Sequence, residues 1–216
     1  MLMSKTQQKS GQSRLSAAPL VGRFAPTPSG FLHLGNVFCS LLAWLYAKKS
    51  GGKIVLRIED LDLQRCSLAK ADALARELEW LGLTWDEGAY VSANSDAYFQ
   101  SRRSDIYAHY FDKLRQADLV YPCFCSRGEL HAAEAPHTSD GRIIYAGTCS
   151  RLTEAERAAK AKLRRPAWRV RVTDEPICFH DAHYGAQSLR LTEECGDFIL
   201  RRSDGVYAYQ LAVVID

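Results

Sequence analysis

The chain has 216 residues, 47% hydrophobic and 25% charged, a make-up that excludes an extensively disordered or fibrous protein and supplies apolar material for a core. Lys and Arg number 28 against 25 Asp and Glu, so the net charge of +3 permits a polyanionic partner without demanding one. No apolar run is long enough to cross a bilayer, and seven cysteines, two of them one residue apart, fit thiols or a metal site better than a secreted disulfide framework.

Residues 1–19 are basic, serine-rich and free of acids. They are faintly like a transit peptide but lack the apolar centre of a secretory signal, and they read as a disordered tail of a cytoplasmic protein. Leu20 to Ala25 reads as a short buried strand entering the loop RFAPTPSGFLHLGN, Arg23 to Asn36. A helix follows, with Val37, Leu41, Leu42 and Leu45 on one face and Lys48, Lys49 and Gly51 as its stop. Lys53 to Asp60 is then a β-branched strand ending in two carboxylates. Strand, glycine loop, helix and strand open a parallel α/β sheet.

A second helix places Leu68, Ala71, Leu74, Leu78 and Leu81 on one stripe, and a third does the same with Tyr107, Tyr110, Phe111 and Leu114. Helical spacing explains these aromatics as core. From Tyr121 the texture turns to cysteines, glycines, histidines and short segments. Thr153 and Glu156 match a capping box for a helix closed by Pro166. Short alternating strands follow, with a turn at Ser203-Asp204-Gly205, and Tyr209 sits on a last buried strand. The expected domains are a nucleotide-binding part over 20–120, an inserted subdomain over 121–191, and a return to the first part over 192–216.

Three groups of residues carry candidate chemistry. In the loop, Gly30 and Gly35 let backbone approach a ligand, Pro26 and Pro28 stiffen the path, and a helix N-terminus presents free N–H groups to an anion. His33 adds a donor there; alone, a tight strand-to-helix turn explains the loop equally well. Glu59 and Asp60 lie at the carboxyl end of a strand, where open α/β sheets bind ligands, although ion pairing with Arg57 or capping of the next helix also accounts for them. Cys123 and Cys125 face one side of extended backbone, and with Cys149 they need a fourth ligand for tetrahedral zinc. Chemistry alone nominates His131 or His137; three metal-free thiols fit nearly as well.

The spacing P-T-P-S-G-x-L-H-x-G resembles the first signature of class I aminoacyl-tRNA synthetases in the version of the glutamate and glutamine branch, here with Asn36 in the last place of the HIGH element. The resemblance runs from Leu20 to Asp216 and implies a Rossmann-like parallel sheet with an inserted zinc-binding α+β subdomain. It implies that His33 and Asn36 are catalytic, and that Pro28, Gly30, His33, Gly35 and Asn36 bind ATP. Arg23, Phe24, Ala25, Pro26 and Thr27 would bind glutamate together with Glu59, which receives the α-amino group, and Tyr209. The insertion resembles that of the queuosine-modifying relatives of glutamyl-tRNA synthetase, which implies a structural zinc held by Cys123, Cys125, Tyr145 and Cys149. Cys39, Cys66, Cys178 and Cys195 show no such pattern and read as buried thiols.

In the implied reaction L-glutamate attacks the α-phosphate of ATP with Mg²⁺ assistance, pyrophosphate leaves, and the glutamyl group passes from the adenylate to queuosine in the anticodon of tRNA(Asp), the enzyme working as a monomer. Two other readings stand beside it: a catalytic fragment charging tRNA(Glu), and a noncatalytic nucleotide- or RNA-binding module. In the family a further arginine of the glutamate pocket and a lysine-bearing KMSKS loop come later than Asp216, so the expectation for the chain as given is weak or absent adenylate formation.

Overall fold

The computed structural model describes residues 20–126, 128–129 and 144–216. Residues 1–19, His131 and His137 lie outside them. Packing divides the chain into two units, one comprising 1–59 with 67–99 and the other 60–66 with 100–216.

The first unit is built on a parallel sheet. β1 (Val21–Phe24) pairs in parallel with β2 (Lys53–Leu56), which pairs in parallel with β3 (Glu87–Gly88). α1 (Leu34–Lys49) connects β1 to β2 and α2 (Leu68–Trp80) lies between β2 and β3, the alternation that parallel pairing requires. Ser67 caps α2 by accepting from Lys70 N–H at 3.3 Å. The core collects Phe24, Ile54, Leu56 and Ile58 with Ala71 and Leu78 of α2 and with Trp85 and Phe99. Leu68 and Leu81, the two ends of the expected α2 stripe, are exposed.

The helix expected after the loop forms, but its apolar face does not become core. Leu41, Leu42 and Leu45 are exposed, and Ala47 is the residue of α1 that is buried. The spacing of apolar residues says which of them share a face. Whether another element covers that face is a separate matter, and none among the described residues does.

In the second unit β4 (Val120–Cys123), β5 (Ala167–Val170) and β8 (Ile199–Arg201) form an antiparallel sheet in the order β4-β5-β8. Side chains alternate across it. Val120, Leu200 and Trp168 face Tyr107 and Phe111 of α3 (Ser104–Gln116). On the opposite side Tyr121 and Cys123 join Phe124, Tyr145 and Cys149. Tyr110, expected in the core with the other α3 aromatics, is instead exposed under the Lys113 ammonium. The capping box appears at α4 (Glu154–Leu163), where Glu156 N–H donates to Thr153 Oγ1 at 3.3 Å and Thr153 N–H to Glu156 Oε2 at 2.8 Å. β6 (Ile177–Asp181) and β7 (Gly185–Leu189) make a hairpin, followed by the single turn α5 (Leu191–Glu194). Because β8 shares a sheet with β4 and β5, the segment after 191 is part of the same layer as the expected insertion.

Tyr209 is not on a strand. It opens α6 (Tyr209–Ile215), whose Leu211 and Ala212 pack against the α3 side of the sheet. Asp216 ends the helix and accepts from Gln100 Nε2, Arg103 Nε and the Tyr107 hydroxyl. A segment of seven residues with two valines and an isoleucine carries a strand-like composition; tertiary anchoring at both ends overrides it.

Candidate functional site

The loop after β1 and the end of β2 are stitched together past the regular ladder. Arg57 N–H donates to Phe24 O at 2.9 Å and Glu59 N–H to Pro26 O at 3.0 Å, so Arg23 to Thr27 and Glu59 meet at the carboxyl ends of two parallel strands, as an α/β ligand crevice requires. The rest of the loop is held by α2: Leu32 N–H donates to Glu77 Oε2 at 3.0 Å and Lys70 Nζ to Ser29 O at 3.1 Å. Pro28 is fully buried and anchors the path.

A cavity of about 200 Å³ opens there, lined by Arg23, Phe24, Ala25, Pro26, Leu32 and Asn36, with Cys39 and Ser40 behind. Phe24 is a core residue and offers the cavity little more than a wall. Arg23 is exposed, and no acceptor or carboxylate among the described residues holds it. A free guanidinium beside a small cavity is a ready partner for a carboxylate. Cys39 is exposed, as is Cys178, against the expectation of buried thiols.

Glu59 pairs with Arg57, Nη2 to Oε1 at 2.7 Å, and both side chains are buried. The ion-pair account of the RIED stretch is therefore correct: the pair and the tie to Pro26 fix Glu59 just past the end of β2, and Glu59 is not among the residues that line the cavity. Asp60 departs from the expectation. It turns away to accept from Ser101 N–H and Oγ at 2.9 and 2.6 Å. Arg57 was visible in the sequence as a residue two positions from Glu59, hence on the same strand face.

At the helix N-terminus His33 is the N-cap residue of α1, and its backbone N–H donates to Asn36 Oδ1 at 3.3 Å. A side chain at Gly35 would come within 3.2 Å of the His33 imidazole. Thr27, Gly30, His33, Gly35 and Asn36 are all exposed around the N-terminus of α1, a helix end that favours an anion. Tyr209, half exposed at the start of α6, belongs to the second unit.

The cysteine cluster is fully assembled. The Cys123, Cys125 and Cys149 sulfurs lie within 4.8 Å of one another. Tyr145 Oη stands 3.4 Å from Cys123 Sγ and 3.7 Å from Cys125 Sγ, and Cys125 Sγ stands 3.5 Å from Cys149 Sγ. A tetrahedral ion with Zn–S bonds of 2.3 Å has S···S edges of about 3.8 Å and slightly shorter S···O edges. The cluster thus matches zinc in donor type and spacing. Cys149 N–H donates to Tyr145 Oη at 2.9 Å, which leaves the phenolic oxygen its acceptor role.

Electrostatics divide Cys123 from Cys125 and Tyr145. Burial pushes the Cys123 thiol up, but hydrogen bonds from the Tyr145 hydroxyl, the Cys125 backbone and the Arg169 guanidinium outweigh it and hold the thiol below its ordinary value. Burial pushes Cys125 up to about 12. Burial also raises the Tyr145 phenol, further favoured in its protonated form by its bond to Cys123.

Comparison with known proteins agrees with this architecture. Residues 19–216 match the model of the tRNA synthetases class I (E and Q), catalytic domain. The chain belongs to that family. The catalytic domain's relatives include a glutamyl-Q tRNA(Asp) synthetase from Nitratidesulfovibrio vulgaris, 48% identical over 90% of this chain and 61% of the relative. A glutamate–tRNA ligase 2 from Syntrophus aciditrophicus is 43% identical over 90% of this chain and 40% of its own length. A crystal structure of a glutamate tRNA ligase from Elizabethkingia meningosepticum in complex with its amino acid superposes with a TM-score of 0.75 at 31% identity, covering 92% of this chain and 41% of the other. The chain spans about three fifths of the first of these relatives and about two fifths of the ligases. Among the described residues no helix is long and apolar enough to cross a membrane.

Proposed function

We propose that the chain carries the ATP and glutamate site of a glutamyl-activating synthetase whose glutamyl acceptor is queuosine in tRNA(Asp). The observation that carries the reading is the unpaired Arg23 beside a small cavity, with a buried Glu59 tied to the same loop. In this reading Arg23 takes the side-chain carboxylate of glutamate and Glu59 its α-amino group. The open first turn of α1, with His33 and Asn36, receives phosphates of ATP, which enters with Mg²⁺. Catalysis comes from positioning and charge neutralisation and requires no nucleophile from the protein. Cys123, Cys125, Tyr145 and Cys149 hold a structural zinc, and a glutamate contact by Tyr209 rests on the family resemblance alone. The relatives' names support both the queuosine acceptor and, as second reading, tRNA(Glu).

The test is glutamate-dependent ATP–pyrophosphate exchange, on this chain and on one extended to the length of its relatives. From the extended protein, exchange without tRNA followed by transfer to queuosine-containing tRNA(Asp) is the expected result, and from the chain as given weak exchange or none. Exchange that requires tRNA(Glu) overturns the queuosine acceptor in favour of the ligase reading. No exchange from either protein, despite folding and ATP binding, leaves a binding module. For the zinc, metal content below stoichiometric and unchanged by Cys149→Ser overturns the ligand set.

A further inference from the structure

Arg169 lies on β5 opposite Tyr121 of β4, on the sheet face that carries Cys123. It is buried. A buried cation is costly unless anionic or acceptor groups surround it, and the surroundings of Arg169 hold few. Its Nη1 donates to the main-chain carbonyl of Asp197 at 2.6 Å. The Asp197 carboxylate is occupied elsewhere, by the Tyr121 hydroxyl and the Val172 N–H. The buried Nε has no hydrogen-bond partner among the described residues.

What Arg169 does touch is the cysteine cluster. Its guanidinium carbon stands 3.8 Å from the centroid of the Tyr145 ring. The neighbouring chain supports this contact on both sides: Gly196 bridges to Tyr145 and the Asp197 carbonyl holds the guanidinium.

We propose that Arg169 is a positioning residue for the zinc site of Cys123, Cys125, Tyr145 and Cys149, fixing the Tyr145 ring by stacking and supplying the counter-charge that a four-anion ligand set lacks. The inference rests on the zinc reading above. Three thiolates and a phenolate carry twice the charge of the ion they surround, and a single guanidinium removes half of that excess. Arginine suits the task because it is planar, weakly hydrated and always charged; lysine would keep the charge and lose the stack. Groups just outside a metal's ligands set ligand orientation and basicity, and their loss lowers metal affinity by roughly 10–100-fold.

The test is zinc affinity of the full chain by competition with a chromophoric chelator, for wild type, Arg169→Gln, Arg169→Lys, Tyr145→Phe and the double variants. Arg169→Gln is expected to weaken zinc at least tenfold, Arg169→Lys to recover part of that loss, and the effect of Arg169→Gln to shrink to about threefold or less in the Tyr145→Phe background. If Arg169→Gln does not fold, Arg169→Lys is read alone with and without Tyr145→Phe, and an intermediate loss confined to the tyrosine background supports the inference. Wild-type affinity in Arg169→Gln overturns it while leaving the zinc reading intact. Equal losses in the Gln and Lys variants, undiminished by Tyr145→Phe, also overturn it, since packing alone would do that. Wild-type protein that binds no zinc overturns the zinc reading itself.

Discussion

The Arg57 guanidinium and the Glu59 carboxylate meet at 2.7 Å with 6% and 9% of their side chains exposed. Removing one partner of such a pair leaves the other charge buried and uncompensated. Arg57→Met is expected to destabilise the protein by about 3–5 kcal/mol in urea unfolding. Arg57→Met with Glu59→Leu should recover much of that. A loss below about 1 kcal/mol for the single variant, the range of exposed pairs, would mean that Glu59 reaches water.

Gly196 has φ +61, and a Cβ there would meet the Tyr145 carbonyl oxygen at 2.8 Å. The left-handed conformation costs a non-glycine residue roughly 1–2 kcal/mol, and the backbone contact adds to it because a carbonyl cannot swing aside. Gly196→Ala is therefore expected to lower stability by about 2 kcal/mol or more and to loosen Tyr145 from the cysteine cluster. Denaturant unfolding and zinc content measured together check both parts. Unchanged zinc content at lowered stability would confine the damage to the backbone.

Much of this arrangement was legible in the sequence, and the illegible parts have physical reasons. Strand, loop, helix and strand from Leu20 to Asp60 follow from apolar spacing and from glycine and proline placement. The meeting of Pro26 with Glu59 follows from parallel pairing. The exposure of the α1 face is not legible because periodicity identifies a shared face without identifying a cover. α6 was misread because composition favoured a strand while Asp216 and Leu211 are anchored by distant residues. Asp60 and Glu59 are adjacent yet diverge, since successive side chains point opposite ways on extended backbone. The cluster's tyrosine came from family resemblance; ligand chemistry alone pointed to His131 or His137. Arg169, one arginine among many in the sequence, gains its meaning from burial, which no motif announces.

Asp86 accepts two hydrogen bonds from Lys48 Nζ at 2.9 Å and one from Ile54 N–H at 2.8 Å. These hold its carboxyl below the usual aspartate value, the Lys48 bond foremost. A depressed folded value means that the stabilisation is fully present above the ordinary pKa of about 3.9 and is lost as pH falls through the lower folded value. Asp86 is nearly half exposed, so its worth is under about 1 kcal/mol. Asp86→Asn should cost that much at pH 7 and converge with wild type in acid, read as unfolding midpoints from pH 7 to pH 2.5. A gap that persists unchanged in acid would assign the effect to the Ile54 hydrogen bond rather than to charge.

Arg23 separates substrate binding from folding. Its side chain is exposed and holds no partner among the described residues, so its replacement removes no native contact. Arg23→Gln should shift the unfolding midpoint by less than about 0.5 kcal/mol, as exposed substitutions usually do. A charge-assisted bidentate contact to a carboxylate, by contrast, is among the strongest side-chain interactions, and lysine does not reproduce its planar fork. In the protein extended to the length of its relatives, glutamate-dependent pyrophosphate exchange is therefore expected to fall at least 100-fold in Arg23→Gln and substantially in Arg23→Lys, with the loss carried mainly by the glutamate KM. ATP binding should hardly change, since the phosphates belong to the α1 N-terminus. Loss of ATP binding in Arg23→Gln would reassign the guanidinium to the nucleotide, and an unchanged glutamate KM would remove it from the pocket altogether.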